Sequence, residues 1–408
     1  MRIGYDAKRI VSNGTGLGSY GRTLINSLAA LEGDDELLLY APDEGRKEWR
    51  EQVRLRESVR FVYSDRKHGL GKSLWRSHGI VEDLRRDGVS LYHGLSGELP
   101  VGLRKAGIPG IVTIHDLIFM RHPEYYHAID AWIYKRKFYQ TLREADRIIA
   151  ISERTRQDII ELGGFPRDRI DLVYQSCDTR YRLLRSEDEL QKIHAEYDLP
   201  PRYILNVGTV EERKNVLLAV KALEKLPADL SLIIVGRQTK YAEKVKRYIR
   251  RHQLDQRVRF LQGVPNSVLP AIYQMAEAFV YPSRYEGFGI PVIEAIQSGL
   301  PVVAATGSCL EEAGGPDSFY VDPDDSEGLR EAILKAIAQH DHLVPKAQEY
   351  IRRFRERFVD RDCADLLKRK DLMPTGQSRD LGVADHCGIL IVSAVEILCD
   401  YIAELKGE

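Results

Sequence analysis

Cysteine is scarce in this 408-residue chain: five residues, at 177, 309, 363, 387 and 399, with no CxxC pair. An odd number without framework spacing excludes a disulfide scaffold and a structural zinc site, and suits a reducing cytoplasm. Net charge is nearly absent as well, with 60 basic against 61 acidic residues and a formal charge of −1. That leaves no basic excess to hold a nucleic acid. No apolar run is long enough to span a membrane. No signal-peptide pattern opens the chain either, because Met1-Arg2-Ile3-Gly4-Tyr5-Asp6 leads directly into a strand-like run. No repeat of the length that marks a solenoid is present.

What remains is a globular composition, 43% hydrophobic and 30% charged, on a chain too long for one ordinary core. Short apolar runs alternate with helical patterns throughout, which predicts an α/β protein with parallel sheets. In the first half the predicted strands are Arg2–Ala7, Glu36–Tyr40, Leu91–His93, Gly110–Ile114, Arg147–Ile151 and Ile170–Val173, with helices over Leu17–Leu31 and Tyr134–Glu144. The rhythm restarts at Tyr203–Val207, Ser231–Val235, Val258–Leu261, Ala276–Tyr281, Pro301–Ala304 and Ser318–Val321. Between the halves a charged stretch, Thr179–Pro201, ends in Pro200-Pro201 and marks a domain junction. The expected division is 1–182, 183–360 and a tail, 361–408. Two such domains enclose a cleft at the carboxyl ends of their strands, where ligands bind.

The most informative stretch is Tyr281-Pro282-Ser283-Arg284-Tyr285-Glu286-Gly287-Phe288-Gly289-Ile290-Pro291, followed by Glu294. Gly287 and Gly289 permit a sharp turn, and Pro291 suits a first helical position, so strand, glycine turn and helix follow one another. Free N–H groups at Gly289 and Ile290 would then face a diphosphate, with the helix dipole favouring the anion. Glu286 and Glu294 would flank the bound group and accept hydrogen bonds from sugar hydroxyls. The structural alternative makes Glu286 a solvated loop residue and Glu294 an acid complementing the dipole of a first helical turn.

Other candidates sit at equivalent strand ends. Arg213 and Lys214 follow the first strand of the second half, where a helix start disfavours cations and a bound diphosphate would explain them. His115 and Asp116 end the strand Gly110–Ile114, with His115 either a satisfied core residue or a contact to a substrate hydroxyl. Gly16, Gly18 and Gly21 spell GxGxxG. The motif starts well beyond its strand, so dinucleotide binding, a plain loop and a phosphate-facing loop all stay open.

Together, Glu286 and Glu294 around Gly-Phe-Gly, Arg213-Lys214-Asn215, the Gly16–Gly21 loop, His115-Asp116, Ala150–Thr155 and Val321–Asp325 resemble glycosyltransferase family 4. The likeness runs in order over about residues 1–360. It implies the GT-B architecture, two Rossmann-like domains facing a central cleft, and metal-independent transfer from a nucleotide sugar with retention. By that resemblance Glu286 contacts the donor sugar, Glu294 holds the ribose, and Arg213 and Lys214 neutralise the diphosphate. Gly287, Phe288, Gly289 and Ile290 bind sugar and phosphate through the backbone, and the Gly263-Val264 segment reads the base. Gly16 and Gly18 approach the phosphates from the other domain, and His115 hydrogen-bonds the donor sugar. No cofactor is implied beyond the donor itself.

The Thr113–Glu124 segment is similar to the mannosyltransferase B branch, which favours GDP-mannose; UDP-sugars stay open. The acceptor implied is a glycan or a lipid-linked glycan of the polysaccharide or O-antigen kind. Trp132-Ile133-Tyr134-Lys135-Arg136-Lys137-Phe138-Tyr139 mixes aromatic and basic residues as a peripheral contact with an anionic membrane would need, at the inner face of the membrane in a cytoplasmic protein. The alternative places those aromatics in the core. Asp322-Pro323-Asp324-Asp325 contains a DxD triplet that would suit a metal, against which Pro323 and Ser326 favour a turn and helix cap. A non-catalytic nucleotide-sugar binder and a GT-B epimerase or phosphorylase are the other classes left open. Two departures from the family pattern bear on specificity: Val173–Asp178 lacks the usual Asn-Gly, and Ser308–Glu312 lacks the usual proline. Residues 389–405 form the candidate helix crossing back to the first domain.

Overall fold

The computed structural model describes residues 1–30, 35–65, 71 and 74–339. The expected tail at 361–408, its crossing helix at 389–405, and the part of 183–360 beyond 339 lie outside the described residues. Seven strands form the first sheet: β1 (Arg2–Asp6), β2 (Glu36–Ala41), β3 (Val59–Tyr63), β4 (Leu91–Gly94), β5 (Gly110–Ile114), β6 (Arg147–Ala150) and β7 (Ile170–Leu172). Their order is β3-β2-β1-β4-β5-β6-β7, and every pairing is parallel. The second sheet holds β8 (Tyr203–Val207), β9 (Ser231–Val235), β10 (Val258–Leu261), β11 (Ala278–Tyr281), β12 (Val302–Ala305) and β13 (Phe319–Val321), in the order β10-β9-β8-β11-β12-β13, again parallel.

Both sheets are covered on both faces, so their central strands read as continuous apolar runs. All five residues of β9 are buried, as are Leu37, Leu38, Leu39, Tyr40 and Ala41 of β2. One sequence expectation fell short here, because β3 was not anticipated. It is an edge strand in which only Val59 is buried while Arg60 is exposed, and it carries little apolar signal.

In each sheet the strand order reverses beside the first strand, between β1 and β4 and between β8 and β11. Crevices at such switch points are where ligands settle in open α/β sheets. The chain leaves the first lobe after Leu172, and Tyr181 already packs in the core of the second, its ring edge-on to Tyr273 with centroids 5.5 Å apart.

The helix Ala128–Glu144 buries only Phe138, Thr141 and Glu144. Trp132 is 60% exposed, Tyr134 43% and Tyr139 37%. The reading that placed these aromatics in the core therefore holds for Phe138 alone. No helix among the described residues is long and apolar enough to cross a membrane.

Candidate functional site

At the switch point of the second sheet, β8 and β11 deliver their following loops side by side. After β8 comes a short 3-10 turn, Glu212–Lys214, and Asn215 then takes a left-handed conformation (φ 54°) before the helix Val216–Leu223. Its side-chain amide donates to the Pro323 carbonyl at 2.7 Å. After β11, the turn Glu286–Gly289 closes onto the helix Ile290–Gln297, with Gly289 at φ 110° and Pro291 in the first helical turn. That helix start has no side-chain cap and no acid in its first turn. Pro291 brings no N–H and Val292 donates to the Gly289 carbonyl (2.9 Å), which leaves Gly289 and Ile290 as the N–H groups at the positive end of the helix dipole.

The two loops meet through charge. Glu286 is 8% exposed, and its carboxylate pairs with Lys214 Nζ at 2.6 Å and with an Arg213 guanidinium nitrogen at 2.9 Å. Ser283 Oγ donates to it at 2.7 Å and Tyr281 Oη at 3.1 Å. Burial works to raise the carboxyl's pKa. The Lys214 ammonium, the Arg213 guanidinium and the hydrogen bonds from Lys214 and Ser283 outweigh it and bring the group down to about 2. Glu286 is thus an anion at any working pH, and it is not a solvated loop residue. Lys214 also donates to Tyr281 Oη (2.5 Å), and Arg213 reaches the Tyr285 carbonyl (2.5 Å) and Glu211 (2.7 Å). The sequence suggested an outside anion as the reason for Arg213 and Lys214. The structure supplies an internal one across 73 and 72 residues of chain.

Glu294 lies in the same helix, beyond its first turn, so it does not serve the dipole. Burial raises its pKa, against hydrogen bonds from Tyr273 (3.0 Å to Oε2) and Tyr181. No cation neutralises it through an ion pair among the described residues. A buried carboxylate held by two phenols keeps lone pairs for further hydroxyl donors. Val264 is half-buried against the same core, and Gly263 before it (φ 68°) leaves open space at its Cα.

The first lobe faces this turn closely. A Cβ on Gly287 would stand 2.1 Å from the His115 carbonyl oxygen and 3.1 Å from the Asp116 side chain. Asp116 shares the electrostatic environment of Arg213, Lys214 and Glu286; burial raises its pKa, with the Ile118 N–H and Arg213 pulling the other way. His115 has partners on both ring nitrogens, the Leu95 carbonyl at Nε2 (2.8 Å) and the Gln175 amide at Nδ1 (3.2 Å). Burial lowers its pKa to about 4, so the ring is neutral, donating through Nε2 and accepting through Nδ1.

The glycine loop behaves differently at each position. A five-residue helix, Lys8–Ser12, separates β1 from Gly16, where the helix Gly16–Ala30 begins. That order lacks the strand–turn–helix contact of a dinucleotide fingerprint. Gly16 faces open space. Gly18, by contrast, is packed: its N–H donates to Thr15, and a Cβ would lie 1.8 Å from the Asn13 oxygen. Gly21 makes room for Ile10.

Side-chain pairings that the sequence did not predict join the lobes. Glu312 accepts the backbone N–H groups of Glu153 (2.6 Å) and Arg154 (2.9 Å), at the start of the first-lobe helix Glu153–Gly163. Tyr285 donates to Asp158 and accepts from Arg154 Nε (2.9 Å), while Thr155 Oγ1 reaches the Gly287 carbonyl (3.3 Å). Tyr174 stacks on Phe288 with centroids 5.6 Å apart. Beneath the turn, Cys309 donates from Sγ to the carbonyls of Glu286 and Phe288, both at 3.1 Å. Nothing in sequence spacing could pair these residues. The Ser-x-x-Glu pattern of Ser283 and Glu286 was the one local signal available.

The DxD triplet is spent locally. Asp322 accepts the Asp324 N–H (2.8 Å), Asp324 pairs with Arg284 (2.5 Å), and Asp325 accepts the N–H groups of Glu327 (3.1 Å) and Gly328 (2.9 Å) at the start of the helix at 326–339. This is the turn-and-cap arrangement. Among the described residues no group of three acidic, histidine or cysteine side chains is placed to hold a metal ion.

Comparison with known proteins bears on both lobes. Residues 14–181 match the family described as Glycosyltransferase Family 4, and residues 187–357 match Glycosyl transferases group 1. The chain is 29% identical over 363 residues to the O-antigen chain mannosyltransferase B of Escherichia coli, covering 83% of this chain and 91% of that protein. It is 29% identical over 247 residues to the O-antigen chain mannosyltransferase RfbU of Salmonella typhimurium, covering 60% of this chain and 65% of that one. In fold it matches Anabaena HepE, solved with UDP and glucose, at a TM-score of 0.65 and 17% identity over 86% of this chain and 95% of that chain.

Proposed function

Because the chain belongs to glycosyltransferase family 4 and has the two-domain GT-B architecture, we propose that it transfers a hexose, mannose from GDP-mannose, to a glycan or lipid-linked acceptor, with retention and without a metal. The observation that carries this reading is the buried Glu286 carboxylate held by Arg213 and Lys214 beside an uncapped helix start. The crevice offers a diphosphate two fixed cations and the N–H groups of Gly289 and Ile290 at the start of the helix Ile290–Gln297. Glu294 accepts the ribose hydroxyls, and the Gly263-Val264 segment contacts the base.

In the reaction the bond between the anomeric carbon and the diphosphate oxygen breaks, and charge builds on the leaving group. Arg213, Lys214 and the helix-end amides stabilise it without reorganising, because Glu286 already orients both cations. The acceptor hydroxyl attacks from the same face, and its proton passes to the departing phosphate oxygen. Glu286, ionised at every working pH, positions the sugar and stabilises positive charge at the anomeric carbon. It forms no covalent bond.

His115 reaches the donor sugar if Gln175 yields its place at Nδ1, and Gly16 opens toward the phosphates from the opposite lobe. The mannosyltransferase names of the two O-antigen relatives support the choice of mannose. Calorimetric titration of GDP against UDP tests the donor: tighter UDP binding replaces GDP-mannose with a UDP-sugar. Donor hydrolysis without acceptor separates an enzyme from a non-catalytic binder. The chain works in the cytoplasm on this reading, against the inner membrane face when the acceptor is lipid-linked. Failure to co-sediment with anionic vesicles would remove the membrane contact.

A further inference from the structure

A cavity of about 720 Å³ lies in the first lobe, away from the Glu286 crevice, between the helix Ala128–Glu144 and the segment Arg76–His78. It reaches Asp6 at the carboxyl end of β1, beside the switch point of the first sheet. Its inner wall is electrically closed. Arg76 pairs with Asp6 (2.7 Å) and Glu98 (2.6 Å), and Lys137 pairs with Glu98 (3.2 Å). Its outer wall is not closed. Arg136 and Arg143 also line the cavity, are exposed, and form no ion pair among the described residues; Arg136 lies over the Trp132 ring at 5.7 Å. Leu99, Pro100, Val101 and Ile133 add apolar surface to the lining, beside the polar Ser77, His78, Gln140 and Thr141.

Helical spacing puts Trp132, Arg136, Tyr139 and Arg143 on one stripe, and the Cα atoms of the two arginines lie about 10 Å apart along the helix axis. Uncompensated arginines beside apolar walls select an anion that carries hydrocarbon. A planar guanidinium fork matches phosphate oxygens bidentately, and the aromatic and aliphatic surface removes an apolar chain from water.

We propose that this cavity binds the acceptor's carrier, a phosphate or diphosphate ester on an apolar chain, with the ester on Arg136 and Arg143 and the chain along Leu99–Val101 and Ile133. The inference rests on the lipid-linked branch of the function proposed above and names the place that would receive it. Because the cavity reaches Asp6 at the carboxyl end of β1, a glycan on such a carrier extends toward the Asp6–Arg76–Glu98 network.

The test is titration of the full chain with monomeric geranylgeranyl phosphate, followed by tryptophan fluorescence, for the unaltered protein, Arg136→Ala/Arg143→Ala, Ile133→Asp and the helix control Lys135→Ala. Inorganic pyrophosphate and vesicles of phosphatidylglycerol in phosphatidylcholine are run in parallel. The expected result is saturable binding of geranylgeranyl phosphate that weakens at least tenfold in the double arginine variant and in Ile133→Asp and is unchanged in Lys135→Ala. Pyrophosphate binding as tight as the prenyl ester would overturn the apolar part. Equal binding by all four proteins, or binding to vesicles alone, would overturn the site. GDP affinity measured on the same samples reports that the variants are folded. Loss of GDP binding by the unaltered protein would count against the proposed donor site and leave the prenyl phosphate result to stand by itself.

Discussion

The two lobes share a strand order around their switch points and differ in how charge is balanced there. In the first, one guanidinium, Arg76, is clasped by two carboxylates, Asp6 and Glu98. In the second, one carboxylate, Glu286, is shared by two cations, Arg213 and Lys214. The same backbone thus centres a cation between two acids in one lobe and an acid between two cations in the other, with Lys137 on Glu98 and Glu211 on Arg213 completing the charge balance. Topology sets where a ligand can sit, and the sign of the charge at the centre of the cluster sets which groups surround that place.

The sharpest way to break this comparison is to equalise the charges. Glu286→Gln leaves both cations without their internal anion. Transfer should fall by roughly a thousandfold, of the order seen when one preorganised electrostatic group is lost. GDP should bind as tightly as before or more tightly, because the diphosphate no longer competes with a carboxylate. Steady-state transfer rates and calorimetry of GDP check both halves, and weakened GDP binding would count against the assignment. In the first lobe the expectation reverses. Arg76→Leu leaves the buried Asp6 carboxylate without its cation, while the part-exposed Glu98 keeps Lys137, and should cost about 3–5 kcal/mol of stability, read by urea denaturation, while GDP affinity in the remaining folded protein stays unchanged.

A smaller effect is expected where the lobes meet. Glu312→Ala removes the acceptor for two N–H groups at a helix start, worth about 1–2 kcal/mol. The measurable outcome is a rise in the donor KM with kcat less affected, and a larger radius of gyration by small-angle scattering.

The smallest effect concerns Glu294, whose pKa burial raises. The folded state holds its proton more tightly than the unfolded chain does, so stability declines as pH rises from the ordinary carboxylate value through the raised one. Ribose hydroxyls donate best to the ionised form. GDP affinity should therefore increase with pH across the same window, and Glu294→Gln should flatten that dependence in calorimetry.

Much of this was legible beforehand because it is local. Strand runs such as Ser231–Val235 are apolar throughout, and Gly289 and Pro291 announce a turn into a helix from their own conformational limits. What could not be read is pairing across distance. Glu286 and Arg213 were each noticed and given to different parts of a ligand, since nothing in a sequence tells a carboxylate that its partner is a strand away. Arg76 with Asp6 and Glu98, and Glu312 with the helix at Glu153, were missed for the same reason. The edge strand Val59–Tyr63 differs: all its residues but Val59 meet solvent, so the burial that would mark it is thin.

Gly287 has one further consequence. Its Cα lies so near the His115 carbonyl that a single added carbon has no place to go. The position therefore acts as a mechanical stop that sets the depth to which the lobes can seat. Replacing it by alanine and then by valine would drive a graded wedge between them. The opening angle of the enzyme could then be dialled by side-chain volume at one residue, with Arg213, Lys214 and Glu286 all left in place.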